Sequence, residues 1–193
     1  SWDVSNVTNM GNMFIGANSL SDENKCAIHT AFSSNENWGG YDWSDLCIPD
    51  VFQPQDLTEL QTAVNMWVDD NSTALSTYGE INSWDVSLIT DMSELFRYKE
   101  TFNDYIGDWD VSNVTNMTRL FNEAISFNQD ISNWDVSSVT NMTRLFNVAT
   151  SFNQDISSWD VSSAITLESI FKDADSFNQD ISSWNTSNVT NMK

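Results

Sequence analysis

Tryptophan recurs at 84, 109, 134, 159 and 184, at intervals of 25 residues, and it carries its neighbours with it. Aligned on these indoles, the copies read WDVSLITDMSELFRYKETFNDYIGD, WDVSNVTNMTRLFNEAISFNQDISN, WDVSSVTNMTRLFNVATSFNQDISS, WDVSSAITLESIFKDADSFNQDISS and WNTSNVTNMK. A unit written four times, and a fifth time in part, with no insertion, sets each position against its own equivalent in the next copy. Such a chain builds a stack, and its core grows with the number of repeats rather than with a single domain's volume.

Within one copy the apolar positions are Val136, Val139, Met142, Leu145, Phe146, Ala149, Phe152 and Ile156. Steps of three across 139–149 predict a short helix or 3-10 stretch with one buried face. Residues 152–161 have the looser spacing of an extended segment crossed by a turn. Extended arms of successive copies would pair in parallel, about 4.8 Å apart. One extended and one helical arm per turn is the plan of a leucine-rich-repeat solenoid.

Stacking turns every equivalent side chain into a ladder. Trp84, Trp109, Trp134, Trp159 and Trp184 form one expected core column, and Phe102, Phe127, Phe152 and Phe177 another. A buried column is the favoured reading of the tryptophans over a sugar-binding aromatic strip. Asn103, Asn128, Asn153 and Asn178 follow those phenylalanines and form an expected structural amide ladder. Asp85, Asp110, Asp135 and Asp160, and likewise Asp130, Asp155 and Asp180, are columns of like charge that need donors or cations between them. Capping of nearby backbone N–H groups is the main expectation. Ca²⁺ at Asp130, Asp155 and Asp180 is the alternative, resting on charge alone because neither an EF-hand nor a glycine-rich nonapeptide is present. Thr115, Thr140 and Thr190 raise an ice-binding array, which Ile165 at the equivalent place weakens.

Outside the ladders the chain changes character. Residues 1–20 repeat the pattern with Leu20 in place of Phe, and are expected to be the last turn of an upstream array. Ser21, Asp22 and Glu23 start a helix, and residues 21–50 are expected to close that array. The only cysteines, Cys26 and Cys47, are expected to form a disulfide; two buried thiols or a metal site are the alternatives, the latter short of ligands with His29 the sole histidine. Residues 51–54 predict a linker. Residues 55–83 predict an amphipathic capping helix, with Leu57, Leu60, Val64, Trp67 and Val68 on one face, and a lead-in to the second array at 84–193.

Composition narrows the function. Lys and Arg number 7 against 28 Asp and Glu, a net charge of −21, which repels phosphate backbones and anionic lipid, so no nucleic-acid partner is expected. No apolar run reaches the roughly 20 residues of a spanning helix. Both ends fall inside a repeat, so a segment of a longer polypeptide is expected. Sequons at Asn6, Asn71, Asn113, Asn116, Asn141, Asn185 and Asn188 are candidate N-glycosylation sites, or alternatively local caps. No catalytic triad, phosphate loop or metal-ligand cluster stands out, and the acids are copied in every turn rather than placed once, so no enzyme and no cofactor beyond the Ca²⁺ alternative are expected.

The WDVSNVTNM, LF, A and SFNQDIS elements, recurring in that order over 1–20 and 83–193, resemble the BspA-like leucine-rich-repeat surface proteins. The resemblance implies an α/β solenoid: a leucine-rich-repeat-like right-handed stack with one short parallel strand plus one short helix or 3-10 turn per repeat, and helical caps. It further implies an extracellular or cell-surface location and adhesive or interaction roles. Because both ends fall inside a repeat, a structural or adhesive rod within a filament or longer repeat protein is expected, with a recognition module for glycans, matrix protein or calcium as the alternative. Further copies of itself or other surface and matrix proteins are the implied partners. The departures from the pattern are Arg97-Tyr98-Lys99-Glu100 in the first full copy and Ala164, Leu167 and Thr186 later.

Overall fold

The structure, a computed structural model, describes residues 3–38, 41–43 and 51–193. The chain divides into two compact units, Ser1–Asp50 and Val51–Lys193.

In the first unit, residues 4–20 form a chain of tight turns in which the N–H groups of Val7, Met13, Ile15, Ala17 and Leu20 donate to the carbonyls of Val4, Met10, Asn12, Phe14 and Ala17. Gly16 lies at φ +78°, the left-handed region that glycine enters without steric cost. Helix α1 (Asp22–Phe32) follows, capped by the Ser21 hydroxyl, which accepts from the Asn24 N–H at 3.3 Å. The Asn35 amide then ties the helix exit to the turn, donating to the carbonyls of Val4 and Val7 at 2.5 and 3.1 Å. Phe14 is covered by Trp38, Tyr41 and Trp43, with ring centroids 6.2, 5.6 and 5.5 Å away. Its own N–H donates to the Tyr41 hydroxyl at 3.0 Å. Cys26 stands in a disulfide; Cys47, its expected partner, lies outside the described residues.

The second unit begins with residues 51–54, expected as a linker, packed against the unit they lead into. Phe52 sits 5.3 Å from the Trp84 ring, and its carbonyl accepts the Asp85 N–H at 2.9 Å. Helix α2 (Leu57–Asp69) starts at Asp56, whose carboxylate accepts the Glu59 N–H at 2.9 Å while Glu59 reaches back to the Gln55 N–H at 2.8 Å. The reciprocal pair is a variant of the capping box. Its apolar face buries Leu60, Ala63, Val64 and Trp67. A second helix that the periodicity did not suggest, α3 (Asn71–Tyr78), turns on Asp70, which ends α2 and accepts the N–H and hydroxyl of Thr73. Gly79, at φ +72°, stops it. A 3-10 turn, Ile81–Ser83, delivers the chain to Trp84.

From Trp84 onward each repeat is one layer, bonded to the next in a fixed pattern. The N–H groups of Met92, Glu94, Phe96 and Tyr98 donate to the carbonyls of Asn116, Thr118, Leu120 and Asn122, all at 2.9 to 3.0 Å. The same pattern recurs from Met117, Arg119, Phe121 and Glu123 to Asn141, Thr143, Leu145 and Asn147, and from Met142, Arg144, Phe146 and Val148 to Thr166, Glu168, Ile170 and Lys172. The intervening residues bond within their own layer: Leu145, Asn147 and Ala149 donate to Met142, Arg144 and Phe146. Where spacing predicted a short helix or 3-10 stretch, these are consecutive three-residue turns. The short parallel pairing is displaced from the 152–161 segment expected to be extended, which carries no bridge: single parallel bridges join Asp91 to Asn116, Asn116 to Asn141, Asn141 to Thr166 and Thr166 to Asn191, at the start of the stretch expected to be helical.

The physical reason lies in the demand for donors. A helix directs its N–H groups along its own axis, which would leave none for the neighbouring layer. Here the backbone is reset at two positions per layer by a left-handed residue: Glu94 and Tyr98, Arg119 and Glu123, Arg144 and Val148, Ser169 and Asp173, with φ between 53° and 62°. Each such residue costs about 1 kcal/mol or more when it is not glycine. The return is a row of peptide groups whose N–H bonds all point toward the following layer.

The interior is aromatic. Phe96, Phe121, Phe146 and Phe171 stack at 5.3, 5.6 and 5.8 Å. Phe102, Phe127, Phe152 and Phe177 stack beside them at 5.9, 6.1 and 6.0 Å. The two columns meet within each layer, as where Phe146 lies 3.9 Å from Phe152. Leu95, Leu120, Leu145, Met92, Met117 and Met142 are fully buried around them. Helix α2 lies on the first layer: the Gln61 amide donates to the Leu95 carbonyl at 3.0 Å, and the Trp67 and Trp84 rings meet edge to face at 5.8 Å.

Candidate functional site

The residues singled out by sequence stand in columns on the second unit, and each column has a measurable job. Trp84, Trp109, Trp134 and Trp159 are buried, and Trp184 is partly so. Adjacent indoles stack at 6.3 Å (Trp84 and Trp109) and 6.5 Å (Trp159 and Trp184). The Trp84 Nε1–H donates to the Gly79 carbonyl at 3.2 Å, and the later indoles reach back along the stack. Trp109, Trp134, Trp159 and Trp184 donate to the carbonyls of Ile81, Ile106, Ile131 and Ile156 at 2.8, 3.1, 3.1 and 3.1 Å.

The asparagine column works in the same sense. The Asn128, Asn153 and Asn178 N–H groups donate to the side-chain oxygens of Asn103, Asn128 and Asn153 at 2.8, 2.9 and 2.8 Å. Sequence reasoning missed the glutamine that follows: Gln129, Gln154 and Gln179 donate to the carbonyls of the same three asparagines. The invariant Asn-Gln pair of the later copies was the available signal.

Both aspartate columns fold back on their own backbone. Asp85, Asp110, Asp135 and Asp160 accept the N–H of Ser87, Ser112, Ser137 and Ser162 at 2.9 to 3.1 Å. Asp130, Asp155 and Asp180 do the same for Ser132, Ser157 and Ser182. Hydrogen bonds from the serine side chain and backbone hold Asp85, Asp135 and Asp160 below the usual carboxylate range. For Asp130, Asp155 and Asp180 the serine N–H is the larger cause. The neighbouring carboxylate of the same column pushes Asp130, Asp135 and Asp155 back up. Among the described residues no group of three or more His, Cys, Asp or Glu side chains converges on a metal position.

The first layer departs from the pattern in a compensated way. Tyr105 stands where later layers have aspartate, its hydroxyl on Asp108 at 3.2 Å, and burial followed by Asp108 pushes the phenol up. Gly107 takes the place of serine beneath it. A Cβ there would lie 2.5 Å from the Asp130 carbonyl and 2.6 Å from the Tyr105 ring.

The threonine hydroxyls are also engaged, Thr115, Thr140 and Thr190 donating to the carbonyls of Thr90, Thr115 and Ile165 at 3.1, 3.1 and 3.2 Å. Of the sequon asparagines, Asn113 and Asn188 donate across layers to Ser87 and Ser162, and Asn116, Asn141 and Asn185 cap the residue two places on. Asn6 is exposed on its turn, and Asn71 is the exposed first residue of α3. Cations lie elsewhere on the layer. Glu94 accepts from Arg97 and Arg119, each at 2.8 Å, and Arg144 faces Glu168 at 4.0 Å. Arg119 first, then Arg97, holds the Glu94 carboxyl below its ordinary value.

Residues 1–37, 58–172 and 131–193 match the family described as Mycoplasma protein of unknown function, DUF285. The chain belongs to this family. The two longer DUF285 matches overlap at 131–172, as a signature does when the sequence beneath it repeats. No curated protein and no solved structure matches the chain. Among the described residues no helix is long and apolar enough to cross a membrane.

Proposed function

We propose that this DUF285 chain is a non-enzymatic segment of an extracellular or cell-surface protein, a right-handed solenoid of the leucine-rich-repeat class. Its role is structural and adhesive, as a stiff element of a surface fibre or of a longer repeat protein. Further copies of itself and other surface or matrix proteins are its partners. One observation carries this reading: the chemistry-bearing side chains recur in successive layers and are engaged by the layers themselves. The indoles, asparagines, aspartates and threonines are all committed to backbone groups. An active site needs a constellation placed once and left free to meet a substrate; repetition with internal satisfaction serves stiffness and presentation of a surface.

The test is a pair of measurements on cells that express the protein. Brief protease treatment of intact cells, followed by immunodetection of the repeat segment, reports its location. Force spectroscopy or electron microscopy of purified material reports whether it behaves as a stiff element. Protection from protease on intact cells, together with turnover in a broad hydrolase screen, would overturn the reading.

A further inference from the structure

His29, the only histidine of the chain, occupies the last turn of α1 and is half-buried against the aromatic cluster of the first unit. Its Nδ1 accepts two hydrogen bonds at once: from the Trp38 indole Nε1–H at 3.2 Å and from the Trp43 backbone N–H at 3.4 Å. The imidazole and the Trp38 indole also pack edge to face, 6.1 Å between centroids. An imidazole nitrogen accepts only while it carries no proton, so the contact fixes both the neutral ring and its Nε2–H tautomer. On protonation Nδ1 becomes a donor, and two N–H groups then face a third.

We propose that His29 is an acid-sensitive latch that holds Trp38 and the 41–43 segment on α1 and releases them in mild acid. What the latch holds is considerable. Trp38 contacts Phe14, Phe32, Tyr41 and Trp43 at 6.2, 5.5, 5.8 and 5.9 Å, and Tyr41 in turn carries the Phe14 N–H. Loss of the shared acceptor therefore loosens the covering of the turn at 4–20. The position at the C-terminal end of α1 adds to the drive, because the helix dipole favours a cation there. The charged and titratable groups nearby in sequence are Lys25, one turn earlier on α1, Glu36 on the loop that leaves it, and Tyr41 and Asp42 on the facing segment. No ion pair joins His29 to another described residue. Asp45 and Asp50 lie outside the described residues.

The experiment is a pH titration of the full ¹⁵N-labelled chain by heteronuclear NMR from pH 8 to pH 5. A Trp38→Phe variant assigns one indole among the nine tryptophans. The Trp38 indole and Trp43 amide signals are expected to move together with the His29 ring, and their protection from exchange to drop about tenfold or more, the factor that about 1.4 kcal/mol represents. His29→Asn keeps an acceptor oxygen that does not titrate, and in that variant both signals are expected to stay in place. Unchanged wild-type signals down to pH 5, or the same movement in His29→Asn, would overturn the proposal. Should His29→Asn fail to fold, the ¹⁵N shifts of the wild-type ring decide: a protonated Nδ1 at pH 8 sinks the latch, and a bare Nδ1 that gains its proton as the Trp38 signal moves supports it.

Discussion

The indole Nε1–H of Trp134 donates to the carbonyl of Ile106, 28 residues earlier in the chain and one layer below, at 3.1 Å in a fully enclosed setting. Neither group has water to fall back on. Trp134→Phe keeps a ring in the column and leaves the Ile106 carbonyl without its donor, an omission that costs about 1–3 kcal/mol. The lost ring area adds to that, so equilibrium denaturation should show a loss of at least about 2 kcal/mol. A loss below about 0.5 kcal/mol would show that the bond contributes nothing net.

The asparagine column makes a parallel case at a less buried place. Asn128→Ala removes the oxygen that accepts both the Asn153 N–H and the Gln154 amide, each at 2.9 Å. The expected cost is about 1–3 kcal/mol. Glu94→Gln, which weakens the pairs to Arg97 and Arg119 on a partly exposed surface, should cost less than about 1 kcal/mol and still less in high salt. A larger loss for the ion-pair variant would show that the surface charges, and not the asparagine column, hold these layers together.

Val148 is a β-branched residue at φ 58°, a conformation that such side chains rarely adopt. Val148→Asn should therefore raise stability by about 1 kcal/mol, since asparagine tolerates the left-handed region. Thermal unfolding of the variant beside the parent tests this, and a lowered midpoint would mean that Val148 packing outweighs its strain.

Acid should unfold the second unit through its aspartates. Asp85, Asp130, Asp135, Asp155, Asp160 and Asp180 all have carboxyls held below the ordinary value by serine donors. A depressed folded value contributes stability that is fully present above the unfolded value, near 3.9, and is lost as pH falls through the folded one. The melting temperature of a fragment spanning 51–193 should accordingly be level from neutrality to about pH 5 and fall steeply below about pH 4. Asp135→Asn with Asp160→Asn should flatten that fall; an unchanged profile would assign acid sensitivity to other groups.

Much of the layered unit was legible because repetition converts one-dimensional spacing into three-dimensional columns. The indoles, phenylalanines and asparagines at 25-residue intervals needed no further information to be set against one another. The backbone conformation inside a layer was not legible. Steps of three fit a helix and a run of three-residue turns equally well. The residues that separate the two, such as Arg119, Glu123, Arg144 and Val148, are not the glycines and asparagines that ordinarily mark a left-handed site. Gly16 of the first unit carries that mark, at the place equivalent to Val148. Helix α3 escaped for a different reason: with Ala74 its only buried residue it has almost no apolar face, and its evidence was the Asp70 cap and the Gly79 stop. The fate of the aspartates turned on which donor stood closest, and the serine two residues after each of the seven column aspartates supplied it.

Because the same pairs of amides and carbonyls recur from each full layer to the next, the junction between any two neighbours is the same junction. Copying one unit in the gene, or deleting one, would leave every surviving contact with a suitable counterpart. Length in such a protein is therefore a nearly neutral variable, open to change by slipped or unequal recombination, while a single inserted residue would throw all later columns out of step.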